Sequence, residues 1–310
     1  METVLLGDAL EQLRGLEAES AYTCVTSPPY YNLRDYGTPG QIGMEATPEE
    51  YIEKLVEIFR EVRRVLRPDG TLWVNMGDSY ATRSGNNPPG NTRNRCGHTE
   101  KRTPKGYKYK DLMGIPWMLA FALRADGWYL RQDIIWSKPN CMPEAVVDRC
   151  TKSHEYIFLL SKSPRYYFDA AALREPCASR KGNAKTFRGG GAYTGGRSFQ
   201  NSARVKRTSH GNTANRTGTR NKRDVWAVAT GGFKGAHFAV FPERLVEPCI
   251  LAGCPEGGTV LDPFAGSGTT GVVAKRLRRN FIGVEINEDY REMAEKRISA
   301  TEAEFEQMTM

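Results

Sequence analysis

The stretch Thr259-Val260-Leu261-Asp262-Pro263-Phe264-Ala265-Gly266-Ser267-Gly268-Thr269-Thr270-Gly271 decides the fold. A short apolar run enters a glycine-rich turn, and helical spacing begins directly after it. Gly266, Gly268 and Gly271 satisfy G-x-G-x-x-G, and Glu285 closes the next apolar run, nineteen residues after Gly266. Glycines let the backbone approach a ligand closely, and a carboxylate at the following strand tip accepts two ribose hydroxyls. The stretch predicts an adenosine cofactor lying across two strand ends.

Only about forty residues follow this turn, too few to complete a nucleotide-binding sheet. The other strands must come from the N-terminal side, so the sheet is permuted. Apolar runs at Thr3–Leu6, Ala21–Val25, Thr71–Asn75, Trp128–Trp136, Glu155–Leu160, Thr259–Asp262 and Phe281–Glu285 read as strands. Helical spacing marks Pro48–Leu66, Leu112–Ala125, Pro242–Ala252, Thr269–Arg278 and Glu288–Ala300, with Pro68-Asp69-Gly70 as a stop after the first. This alternation predicts an α/β fold of βαβ units on a parallel sheet, with ligands at the carboxyl ends of the strands. NAD is the usual first guess for such a turn. Asp262, however, stands where it can hold an ammonium group, which adenosyl-methionine carries and NAD lacks.

A second strand end carries the chemistry. Ala21–Val25 runs into Thr26-Ser27-Pro28-Pro29-Tyr30. Two prolines fix φ and remove two N–H donors, leaving carbonyls turned outward as rigid acceptors. With the Ser27 hydroxyl and the Tyr30 ring, this makes a site that accepts hydrogen bonds from an –NH₂ group and stacks on a flat ring.

Charge is distributed unevenly. Against an overall +8, the segment between Glu175 and Asp224 holds twelve bases and no acid, among them Arg180, Lys181, Lys185, Arg188, Arg197, Arg204, Lys206 and Arg207. The remaining 32 bases face 36 acids, so the rest of the chain carries −4. The segment is rich in Gly, Asn, Ser and Thr and cannot bury enough apolar surface to fold alone. It reads as a flexible arm for a polyanion, whose binding releases counterions. Arg83–Lys110 has the same character. Residues 1–175 then form one half of the main domain with a basic loop at 83–110, residues 176–224 a basic insert, and residues 225–310 the cofactor half.

Other classes fall away. No apolar run approaches the roughly 20 residues of a spanning helix, and METVLLGDAL lacks the basic and long apolar regions of a secretory leader. Seven scattered cysteines without a C-x-x-C pair read as reduced thiols. His98, His154, His210 and His237 lie too far apart for zinc spacing, so no metal is expected.

Together the motifs resemble the amino-methylating DNA methyltransferases of the order in which the catalytic motif precedes the cofactor motif. The resemblance rests on Ser27-Pro28-Pro29-Tyr30, Asn75-Met76-Gly77-Asp78, Ile135-Trp136-Ser137-Lys138-Pro139, His237-Phe238-Ala239-Val240-Phe241-Pro242 and the Asp262–Thr269 turn. It implies a permuted Rossmann-like sheet dependent on S-adenosyl-methionine, with flexible basic insertions for target recognition. Ser27, Pro28, Pro29 and Tyr30 would hold the target amino group. Asp8 would sit near the adenine and Glu285 on the ribose. His237, Phe241 and Pro242 would face the methionine half, with Asp262, Phe264, Ala265, Gly266, Ser267, Gly268 and Thr269 forming the cofactor turn. Pro242 would also open a helix as its first residue.

The resemblance further implies double-stranded DNA as substrate, a flipped target base, a bacterial or phage source, a cytoplasmic location and a companion restriction endonuclease. The chain would act as a monomer or homodimer. Ser before Pro-Pro leans toward cytosine N4, with adenine N6 as the alternative. Carbon methylation would need a cysteine nucleophile, and Cys177 and Cys249 read as structural. A non-catalytic nucleic-acid binder is the distant alternative. Lys138, Asn140, Arg149, His154 and Glu155 read equally well as pocket wall or salt-bridged surface. Trp73, Trp117, Trp128 and Trp136 read as core.

Overall fold

The computed structural model describes residues 2–33, 35, 37–81, 103–176, 219–231 and 241–308, with side chains described as far as 301. The eight arginines and lysines from Arg180 to Arg207 assigned to DNA lie outside these residues, as do His237 and Cys177.

The elements run β1 (Glu2–Leu6), α1 (Ala9–Gly15), β2 (Ala21–Thr26), α2 (Pro48–Val65), β3 (Leu66–Met76), α3 (Ile115–Ala125), β4 (Tyr129–Ser137) and β5 (His154–Ser161). They continue with β6 (Glu175–Pro176), β7 (Thr219–Arg220), β8 (Val225–Ala227), α4 (Glu243–Gly253), β9 (Thr259–Asp262), α5 (Thr269–Arg276), β10 (Asn280–Glu285) and α6 (Glu288–Met308). Contacts divide the chain into two compact units, Met1–Asp169 with Asp224–Met310, and Ala170–Arg223.

In the larger unit eight strands are ordered β1-β10-β9-β2-β3-β5-β4-β8. The permutation is visible in this order. Strand β9, from near the end of the chain, lies beside β2, from near its start, with Thr23 opposite Val260 and Cys24 opposite Leu261. The carboxyl ends carrying the glycine turn and Ser27-Pro28-Pro29-Tyr30 are therefore neighbours. Helices α1, α2 and α3 pack together, as do α4, α5 and α6, which cover the opposite face.

Local sequence explains the best-defined helix. In α2 the Thr47 hydroxyl caps Glu50 N at 3.2 Å while Glu50 Oε2 accepts from Ala46 N at 3.1 Å. Pro48 occupies the first turn, acids begin the helix and Arg63 and Arg64 end it, matching its dipole. Tyr51, Leu55, Phe59 and Val62 recur on one face and are fully buried. Each such side chain contributes about 1.5–3 kcal/mol by leaving water.

Three expectations are corrected. The sheet is not wholly parallel, because β5 runs antiparallel between β3 and β4. The chain returns from β4 to β5 through a loop without a helix, and such a connection reverses direction. Helix α2 does end just ahead of Pro68-Asp69-Gly70, but the strand expected from Thr71 begins at Leu66, and the three residues bulge within β3, where pairing jumps from Ala21–Leu66 to Thr23–Thr71. Pro242 is the N-cap of α4, in extended conformation, and Glu243 is the first helical residue. A further helix, α1, is capped by Asp8, whose Oδ1 accepts from Glu11 N at 3.0 Å.

In the smaller unit β6 pairs antiparallel with β7. Glu175 Oε1 accepts from Arg220 at 2.8 Å and Arg223 at 2.9 Å, so two of the segment's twelve bases are paired at its base.

Candidate active site

A cavity of about 670 Å³ opens at the strand ends of the larger unit, within the usual range for a small-molecule site. Its wall includes Asp8, Ser27, Pro28, Pro29, Tyr30, Phe241, Phe264, Ala265, Gly266, Ser267, Thr269 and Glu285. Twelve of the sixteen residues assigned from the sequence to the amine and the cofactor thus come together, from both ends of the chain.

At the glycine turn the three glycines do different work. Gly266 has φ +53° and lies in the cavity wall. Gly268, at φ +77°, is absent from the wall; a Cβ there would stand 2.8 Å from Ala294 Cβ of α6. At Gly271 it would stand 2.5 Å from Ile298 and 2.8 Å from Phe281. The last two glycines let α5 seat against α6 and the sheet. Glu285 Oε2 accepts from Gly266 N at 2.8 Å and Oε1 from Asn287 N at 2.9 Å. Burial raises its pKa, opposed by these N–H donors. Arg297 of α6, which sequence reading missed, grips Ser267 Oγ at 2.8 Å from behind.

Asp262 does not face the cavity. It is fully buried, with Oδ1 accepting from the Thr26 hydroxyl at 2.6 Å and Phe264 N at 3.1 Å, and Oδ2 from the Thr270 hydroxyl at 2.7 Å. The expectation that it holds an ammonium group is therefore corrected, since its oxygens are turned into the protein and occupied. Burial pushes its pKa up to about 6. Pro242 is likewise outside the wall.

At the other end Ser27-Pro28-Pro29-Tyr30 is held from several sides. Tyr51 Oη donates to the Pro29 carbonyl at 2.7 Å. The Pro28 carbonyl accepts no hydrogen bond from the described residues. Tyr30 Oη donates to Glu155 Oε2 at 2.7 Å. Asn75 Nδ2 donates to Tyr30 Oη at 2.8 Å, Glu155 Oε2 at 3.1 Å and Ser27 Oγ at 3.3 Å. Lys138 forms an ion pair with Glu155 Oε1, and its ammonium lies 4.2 Å from the centre of the Trp136 ring. Asn75, Trp136, Lys138 and Glu155 all line the cavity. Burial, reinforced by the Glu155 charge, holds the Tyr30 phenol well above its ordinary pKa, so it remains a hydroxyl donor.

The residues around this network act locally. Gly77 is required because a Cβ there would stand 2.7 Å from Tyr30 Cε2 and 3.2 Å from Glu155 Cδ. Asp78 caps α3, accepting from Gly114 N at 3.0 Å and Ile115 N at 3.1 Å, where the N-cap glycine has no side chain of its own. Arg149 pairs with Glu144 at 2.6 Å, the surface reading, while Asn140 hydrogen-bonds Thr230. Cys249 is buried in α4, away from the cavity.

Known proteins resemble this chain in sequence and in fold. Residues 22–296 match the N6/N4 methyltransferase family model described as DNA methylase. The chain is 46% identical over 297 residues to the type II methyltransferase M.SmaI of Serratia marcescens, covering 95% of this chain and 90% of that one. It is 46% identical over 300 residues to M.Cfr9I of Citrobacter freundii, covering 96% and 87%. Among solved structures, the cytosine-N4-specific PvuII DNA methyltransferase superposes with a TM-score of 0.63 at 19% identity, covering 96% and 86%. The M1.HpyAVI–SAM complex gives 0.55 at 18% identity, covering 96% and 98%. With both motifs at adjoining strand ends, and the family match spanning most of its length, the chain belongs to the amino-methylating N6/N4 family of DNA methyltransferases.

Proposed function

We propose that this enzyme methylates the N4 amino group of a cytosine flipped out of double-stranded DNA, using S-adenosyl-methionine. The observation that carries the reading is that one cavity wall includes Ser27 and Pro28 together with the Gly266 turn and Glu285. The wall fits the cofactor. Gly266 presents no side chain, and Glu285 places a carboxylate in the same wall, the group that accepts ribose hydroxyls. When bound, the cofactor supplies an electrophilic sulfonium methyl group.

The chain's own residues prepare the nucleophile. An exocyclic amine is conjugated with its ring and only weakly basic. Ser27 Oγ and the Pro28 carbonyl accept its two N–H groups, pulling the nitrogen toward sp³ and localising its lone pair. Asn75 fixes the Ser27 hydroxyl, while Tyr51, through the Pro29 carbonyl, fixes the turn. Tyr30 supplies a flat face for the base. Positioning of this kind removes much of the entropic barrier.

Ser27 ahead of the two prolines supports cytosine N4, and adenine N6 is the second reading by the same chemistry. Residues 176–224, with Arg180, Lys181, Lys185, Arg188, Arg197, Arg204, Lys206 and Arg207, would grip DNA and choose the sequence. Residues 1–175 and 225–310 would share one methyltransferase domain. The setting would be cytoplasmic restriction and modification, with a cognate endonuclease as companion, a reading supported by similarity to proteins named type II methyltransferases. Incubation with methyl-labelled S-adenosyl-methionine and mixed-sequence duplex DNA tests this. Label in the DNA is expected; a chain that binds DNA without transferring label would instead be a non-catalytic binder.

A further inference from the structure

The loop from Lys138 to Ser153, between β4 and β5, combines a braced backbone with unusual apolar exposure. Its ends are joined by Lys138 N donating to Ser153 O at 2.8 Å. Asn140 and Thr230 exchange two hydrogen bonds, of 3.1 and 2.8 Å. Glu144 accepts from Arg149 at 2.6 Å and Lys152 N at 3.1 Å, and the Arg149 guanidinium lies 4.0 Å from the centre of the Tyr80 ring. Yet on this fixed loop Met142 is 83% exposed. Single exposed apolar residues are ordinary, but Met142 also belongs to the wall of the cavity containing Ser27 and Tyr30. It therefore stands at the rim, where DNA must approach for a base to enter.

We propose that Met142 is the wedge that enters the duplex as the target base leaves it, occupying the gap between the neighbouring bases. This rests on the flipped-base reading above. Extruding a base strips its neighbours of stacking, and an inserted apolar side chain restores part of that contact. An unbranched, polarisable thioether suits a gap of irregular shape. The braces hold the loop in place, so little backbone ordering remains to be done on binding. Leu33 is the competing rim residue, being in the same wall, but it is only 41% exposed.

The test compares single-turnover methylation of two duplexes carrying the site that the unchanged enzyme methylates. One is fully paired; the other has a mismatched nucleotide opposite the target, which lowers the cost of flipping. Met142→Ala should be slower than the unchanged enzyme by about 10–100-fold on the paired duplex and by no more than about 3-fold on the mismatched one. Leu33→Ala should show no such dependence on pairing. Thermal unfolding of Met142→Ala should match that of the unchanged enzyme, because the side chain is exposed. Equal losses on both duplexes, no loss on either, or a pairing-dependent loss confined to Leu33→Ala would overturn the proposal. An unchanged enzyme that methylates no duplex DNA of any sequence, so that no such site exists, would overturn the methyl-transfer reading, and the wedge with it.

Discussion

The Thr26 hydroxyl donates to Asp262 Oδ1 at 2.6 Å, joining the residue before Ser27 to the strand tip that launches the glycine turn. These residues lie 236 positions apart. The bond, completely buried, ties the Ser27-Pro28-Pro29-Tyr30 turn to the glycine turn at the point where β2 meets β9. Their relative placement is thus fixed by a side-chain contact as well as by the sheet.

This contact carries a pH signature. Burial raises Asp262 to about 6 in the fold, from an ordinary value of 3.8. The folded state then binds the proton more tightly than the unfolded one. Its contribution to stability is full below about pH 4 and is lost as pH rises through about 6, a span of about 3 kcal/mol. Asp262→Asn cannot ionise. Its stability relative to the unchanged protein should rise by about 2–3 kcal/mol between pH 4 and pH 8 in denaturant titrations. A difference constant across that range would show that Asp262 is not shifted.

Ser27→Ala removes one of the two proposed acceptors while leaving the turn's prolines and the Tyr51 bond in place. It should bind DNA and S-adenosyl-methionine as the unchanged enzyme does, yet lose about 100-fold or more in single-turnover rate, the scale for deleting one preorganised polar group. Near-normal turnover would remove Ser27 from the chemistry.

The Lys138–Glu155 pair is largely buried, with side chains 18% and 14% exposed. Glu155→Gln strands the Lys138 ammonium and should cost about 3–5 kcal/mol of stability, as breaking a buried pair does. Combining it with Lys138→Met should recover much of that loss. Turnover should not recover, because Tyr30 and Asn75 lose the charge that orients them in both variants. Unfolding and single-turnover assays on the same three proteins separate the two effects.

Gly77→Ala places a methyl group 2.7 Å from the Tyr30 ring. The ring must shift, so turnover should fall about 10-fold or more while cofactor affinity, set at the far end of the cavity, stays within about 3-fold. Equal losses in both would show that the two ends of the cavity are coupled.

Removing residues 182–221 should weaken DNA binding and flatten its salt dependence, because each lost phosphate contact lowers the slope by about 0.9. Cofactor affinity should be unchanged. If cofactor binding collapses in equilibrium titrations, the segment supports the fold rather than gripping DNA.

What the sequence made legible was local. A strand, a glycine turn and a helix declare themselves within Thr259–Gly271, and Glu285 follows at the next strand tip. Ser27-Pro28-Pro29-Tyr30 is similarly readable, because proline limits the backbone whatever surrounds it. The direction of β5 was not, since an apolar run such as Tyr156–Leu160 looks the same parallel or antiparallel. Asp262 beside a glycine turn reads as a ligand group, and only its partners Thr26 and Thr270 show that it faces inward. Asn75, Lys138 and Glu155 each stood at a strand end, but their shared network depends on β3, β4 and β5 being adjacent.

The most direct test of the central claim is mass-spectrometric nucleoside analysis of duplex DNA after reaction with the enzyme and S-adenosyl-methionine. N4-methylcytosine is the expected product. N6-methyladenine would move the target base while preserving amine transfer at Ser27 and Pro28. Methylation at a ring carbon, or no methylated nucleoside at all, would contradict it.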